Sequence, residues 1–92
     1  MSAAKFPLSK SAQTQVRRKL LEDLRMAMKQ AGFAVTCFAG VTATTAWVKV
    51  SCPRGYQEID VSAARAEAQR VVDPLLAEGA LESAEVTAIP AT

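Results

Sequence analysis

Val16, Leu20, Leu24, Ala27, Met28 and Ala31 recur at spacings of three, four and one, which gathers them into one stripe of a 3.6-residue period. The stripe predicts an amphipathic helix over residues 10–31, about 32 Å long at 1.5 Å per residue. Ser9 or Ser11 can cap its start by accepting an orphaned backbone N–H, and Gly32 can supply the left-handed residue that closes its end. The period then changes to two. Phe33 to Phe38 places Phe33, Val35 and Cys37 on one face of a strand, and Thr44 to Cys52 alternates with Ala46, Val48, Val50 and Cys52 inward and Thr45, Trp47, Lys49 and Ser51 outward. With Ala39 to Thr42 as the connection, the two strands predict a hairpin.

Pro53, Arg54 and Gly55 read as a turn, because Pro fixes φ and Gly tolerates a positive one. A third short strand is expected over Tyr56 to Val61, with Ile59 and Val61 inward and Tyr56, Glu58 and Asp60 outward. Asp60 or Ser62 would cap a second helix whose stripe is Ala64, Ala68, Val71, Val72 and Leu75. Pro74 lacks the N–H that an interior helical residue donates, so that helix either kinks there or, the favoured expectation, ends at Val72 and restarts with Asp73 as cap and Pro74 as first residue, Gly79 ending the short turn. Ala84 to Ile89 alternates like an edge strand before Pro90. The order helix, strand, strand, strand, helix, strand predicts an α+β domain: an antiparallel-rich sheet with two helices packed on one face. Trp47, Thr45, Lys49, Thr36, Phe38 and Tyr56 would then lie on the uncovered face.

The length of 92 residues allows one core, so a single domain spanning 1–92 is expected, with 1–9 as an arm that can be flexible. A hydrophobic share of 50% against 22% charged residues, with four Gly and four Pro, excludes disordered and low-complexity classes. Residues 1–15 hold no apolar stretch of signal-peptide length, and no run approaches the roughly 20 residues of a membrane span. A cytoplasmic protein without membrane contact is the expectation. The chain has no His, which removes imidazole-based catalysis, and it carries no phosphate-binding glycine loop and no hydrolase or metalloprotease motif. No enzymatic activity, cofactor or small-molecule substrate is therefore predicted.

Charge changes the picture more than composition does. Residues 1–57 hold nine Lys and Arg against Glu22 and Asp23, a net +7, while residues 58–92 hold Arg65 and Arg70 against seven carboxylates, a net −5. Either the halves neutralise one another across the fold, or the basic half faces a polyanion or an acidic protein surface. On the first helix Arg18, Arg25 and Lys29 project within about 40° of one another, with Glu22 beside them, while Lys19 and Asp23 form an i,i+4 pair. Arg17, Arg18, Lys19, Arg25, Lys29, Lys49 and Arg54 are the candidate cations of a binding surface, with Trp47 and Tyr56 as candidate aromatic anchors. Partners of this chemistry are a protein or a ribonucleoprotein, with direct nucleic-acid contact as one form of it. The aromatic set is thin for a single-strand binder, and no sequence-reading pattern is present.

Other chemistry is weakly supported. If the hairpin turns near residues 40–43, Cys37 pairs near residue 46 and Cys52 lies some 20 Å further along at 3.3 Å per residue, beyond disulfide reach. Two free, mostly buried thiols are expected. Metal ligation fails on ligand count, since a structural zinc needs four donors. Glu58 and Asp60, about 7 Å apart on one strand face, could hold a cation or act as acid and base, but a solvated edge beside a helix cap accounts for them as well.

A chain of this size, Ala-rich, unexported, with a basic helix and no catalytic set, resembles the small phage-encoded inhibitors of the anti-CRISPR type. The resemblance is one of size and character over the whole chain, and it implies docking on a CRISPR ribonucleoprotein and blocking of DNA or guide access, in the host cytoplasm. No motif carries it, so no residue role follows from it. The alternative reading of the same sequence is an assembly module that forms a homo-oligomer through its open sheet face.

Overall fold

The computed structural model describes residues 8–90, and the elements run helix, strand, strand, helix, strand. Helix α1 spans Lys10–Ala31 and has the predicted ends. Ser9 Oγ accepts the Ala12 N–H at 3.1 Å, and Gly32 takes a left-handed φ of 85° so that the Phe33 N–H can reach back to the Met28 carbonyl at 2.9 Å. Of the predicted arm, residues 1–7 lie outside the described residues. Leu8 and Ser9 belong to the folded body, since Leu8 is buried, donates its N–H to the Ala43 carbonyl at 2.6 Å and accepts from Gln13 Nε2 at 2.9 Å.

Strands β1, Thr36–Val41, and β2, Thr45–Ser51, form the expected hairpin, but the chain reverses later than the sequence suggested. Ala39, Gly40 and Val41 stay in the strand because they continue its alternation, Ala39 inward and Gly40 outward. The reversal falls at Thr42–Thr45, where the Thr42 N–H meets the Thr45 carbonyl at 2.7 Å and the two hydroxyls lie 2.8 Å apart. The shift also corrects the cysteine register. Cys37 pairs with Val50, not with residue 46, so Cys52 sits two positions past its partner, and both thiols are free and buried.

The expected third strand does not form. Helix α2 spans Glu58–Ala77, and its first turn is set by Gln57, whose N–H donates to the Asp60 carboxylate at 2.9 Å. Gln57 is therefore the N-cap, where the sequence suggested Asp60 or Ser62, and Asp60 sits at the third helical position of a capping box, with Glu58 beside it near the positive end of the helix dipole. Ile59, expected inward, is 75% exposed, because a helical period turns it away from the core. The helix also continues through Pro74 instead of restarting at Asp73. Pro74 is exposed in the last turn, where one backbone bond is forfeited, while Val72 and Leu75 on either side of it stay buried and hold the turn in place.

Strand β3, Ser83–Ile89, returns parallel to β2, so the sheet has the order β1-β2-β3 and is mixed. Both helices cover one face. The rows Cys37–Val50–Ala88, Ala39–Val48–Val86 and Val41–Ala46–Ala84 point into a core completed by Leu20, Leu24 and Met28 of α1 and by Ala64, Ala68, Val72 and Leu75 of α2. The rows Thr36–Ser51–Ile89, Phe38–Lys49–Thr87 and Gly40–Trp47–Glu85 face away from the helices. Leu24 is completely buried, so Leu24→Ala is expected to cost about 2 to 5 kcal/mol in urea unfolding. Ile59→Ala should change stability by less than about 0.5 kcal/mol, whereas an inward strand residue would behave like Leu24.

Candidate functional site

The candidate cations fall into distinct environments. Arg18, Arg25 and Lys29 lie on α1 outside its buried stripe, and all three are exposed. Ion pairs among the described residues are two, Lys19 with Asp23 at 3.3 Å and Arg70 with Glu67 at 3.4 Å, each within its own helix. Among the described residues, therefore, no carboxylate of the acidic half pairs with the strip. Met26, one position from Arg25 and 60% exposed, lies beside the three cations on the polar side of α1. Sequence reading passed over it, although its position about 80° from Arg18 on the helical wheel marks it as an apolar side chain outside the stripe.

Arg17 has a different role. It stands on the side of α1 that faces the sheet and donates its Nε–H to the Ala39 carbonyl at 3.1 Å on the edge strand β1. On the opposite edge Arg65 of α2 does the same to Val86, Nε to carbonyl oxygen, at 3.3 Å. Ala39 and Val86 flank Val48 in the central row, so each helix clips one edge of the sheet at its middle. A guanidinium held over an edge carbonyl blunts that edge against pairing with another chain.

Arg17, Leu21 and Arg25 form an i, i+4, i+8 row, and between this row and β1 runs a groove of about 420 Å³ that Phe38, Gly40 and Trp47 also line. Trp47 reaches it from β2 because its indole lies across Gly40. A Cβ at that position would collide with Nε1, Cε2 and Cζ2 of the ring, so only glycine lets the ring rest there. Trp47 remains 44% exposed and its diagonal neighbour Phe38 47%. Cys37 forms part of the groove wall. Burial raises its thiol above the usual range, an effect Arg25 opposes, and burial with a smaller contribution from Asp60 raises Cys52. Protonated, buried thiols are poor nucleophiles.

The remaining candidates lie apart from the groove. Lys49 is exposed on the bare sheet face between Phe38 and Thr87, and Arg54 is exposed in the turn after β2. Tyr56, expected on that face, is not in the sheet at all. Its hydroxyl accepts the Ala34 N–H at 2.8 Å and its ring packs edge-on against Phe33, with centroids 6.4 Å apart, so it serves the junction of α1, β1 and α2. Glu58 and Asp60 lie in the first turn of α2, with Asp60 engaged in the cap. Among the described residues no three His, Cys, Asp or Glu side chains converge as metal ligands would, and no helix is long and apolar enough to cross a membrane.

No protein-family model, curated protein or solved structure matches the chain. The indole contact is testable directly, since Trp47 is the single tryptophan. Gly40→Val is expected to lift the ring from the sheet and shift its fluorescence emission to longer wavelength, with helix content by circular dichroism unchanged.

Proposed function

We propose that this protein is a non-enzymatic docking protein that works by occupying a surface. In this reading the outward side of α1 seats on an acidic region of a protein or ribonucleoprotein, with Arg18, Arg25 and Lys29 as charged anchors and Met26 as the apolar contact among them. The bulk of the domain then blocks access to what lies beneath. The observation that carries the reading is the segregation of charge: three exposed cations on one helix face, with no carboxylate of the acidic half paired to them among the described residues. Unpaired surface cations of one sign steer an oppositely charged partner over about a Debye length, roughly 8 to 10 Å. The resemblance to anti-CRISPR inhibitors makes a CRISPR ribonucleoprotein the first partner to try, within the cytoplasm of the host cell.

Reversing all three charges, Arg18→Glu, Arg25→Glu and Lys29→Glu, touches no buried residue and should leave the fold intact. Partner capture in a pull-down is expected to be lost, and capture equal to the parent's would refute the reading.

A second reading draws on the bare sheet face, where Phe38, Trp47 and Ile89 are exposed and where Lys49 and Glu85 supply opposite charges. A two-fold interface needs such a self-complementary surface, so a second copy could pack there. Light scattering would then give a dimer that Trp47→Ala dissociates and that raised salt does not, whereas a monomer at all concentrations removes this alternative.

A further inference from the structure

We infer that the groove between α1 and β1 binds single-stranded nucleic acid, one base stacking on Trp47 while Arg17 and Arg25 meet the neighbouring phosphates. The inference rests on the docking reading, in that it names a direct contact the same basic side of the molecule makes. Stacking needs a π-face that is exposed and already held in place, because an unfixed side chain loses rotamer freedom on binding. Trp47 meets both conditions, with its indole seated on Gly40 and nearly half exposed. Phe38 stands diagonally across the strand pair, about 7 to 8 Å away for such neighbours, and offers a second platform with Lys49 directly opposite it.

The cations lie on one side of these rings. Arg17 and Arg25 are eight residues apart, about 12 Å along the helix, and both line the groove that Trp47 overhangs. Arg17 spends its Nε–H on the Ala39 carbonyl, which fixes the guanidinium and leaves its terminal N–H groups to donate to a phosphate oxygen. A smaller hollow next along the helix, lined by Arg17, Val41 and Lys10, carries the positive row further. On the far flank of Trp47 stands Glu85, which repels phosphate and so confines the backbone of a bound strand to the α1 side.

The same features disfavour other occupants. A peptide strand added to the edge of β1 would need the Ala39 carbonyl that Arg17 already holds. An acidic peptide lying in the groove could satisfy the two guanidinium groups but would leave the ring without a planar partner. Duplex nucleic acid keeps its bases stacked inside, out of reach of a ring on a sheet.

Titration with a ten-nucleotide oligothymidylate at about 50 mM salt is expected to quench the Trp47 emission, and log K should fall with log[salt] at a slope of about −1.4 to −2.1 for two to three phosphates. Arg25→Ala should reduce that slope by about 0.7. Trp47→Ala, followed through the anisotropy of a labelled oligonucleotide, should bind about tenfold more weakly with the slope unchanged, and Trp47→Phe should recover part of the loss. Glu85→Gln should tighten binding. Absence of quenching, equal binding of a duplex or of polyglutamate, or a Trp47→Ala variant that binds like the parent would each overturn the inference. Partner capture that survives nuclease treatment and Trp47→Ala, yet is lost on reversal of the three α1 charges, would overturn it too while leaving the docking reading standing.

Discussion

Everything that gives this molecule its two faces depends on the central strand. β2 has a hydrogen-bonded neighbour on each side, and the side chains Ala46, Val48 and Val50 that it turns toward the helices are almost fully removed from water. Successive residues of a strand point to opposite faces. Burying that set therefore leaves no choice for Trp47 and Lys49, which must emerge on the other side. A slip of one residue would expose the three apolar side chains and drive an indole and an ammonium group into the core, so the register is strongly specified. The position of the indole over Gly40 follows from this same register.

A three-stranded sheet with one bare face has two open edges, and here each is engaged by a guanidinium from the helix that lies nearest. Arg17 and Arg65 grip the carbonyls of Ala39 and Val86, the neighbours of Val48 on either side. These bonds tie helix to edge strand and obstruct edge-to-edge pairing in one stroke. They also sort the basic residues by task. Arg17 is held against the sheet, Lys19 is engaged with Asp23, and Arg18, Arg25 and Lys29 form no ion pair among the described residues.

The proposed docking face and the aromatic groove adjoin one another along α1, and Arg25 belongs to both. A partner that combines an acidic protein surface with an exposed single strand would engage the two together, whereas a purely proteinaceous partner would use the outward cations and Met26 alone. The acidic second half of the chain sits mainly on α2 and β3, away from the β1 edge, so like-charge repulsion favours approach of an anion from the α1 side.

Much of this was readable from local pattern. The stripe of α1, a serine at its start and Gly32 at its end, the faces of β2 and the edge strand before Pro90 each depend on neighbours within a few residues, and such signals survive without knowledge of the fold. The misread segment, Tyr56 to Val61, alternates like a strand over too few residues to tell the two periods apart, and the Gln57–Asp60 capping box decided for helix. The missing N–H of Pro74 is a local fact that argues for a kink or a stop, while the burial of Val72 and Leu75 that carries the helix past it is not local. The chain by itself determined α1, the alternation of its two hairpin strands and of the last strand, and the segregation of its charges, all of them properties of short stretches. The tertiary structure alone decided the hairpin register, the parallel return of β3, the Arg17 and Arg65 clips and the meeting of Trp47 with Gly40 and Arg25. These are contacts between residues distant in sequence, and the requirement that two helices and a sheet bury one common core is what brings them within bonding distance.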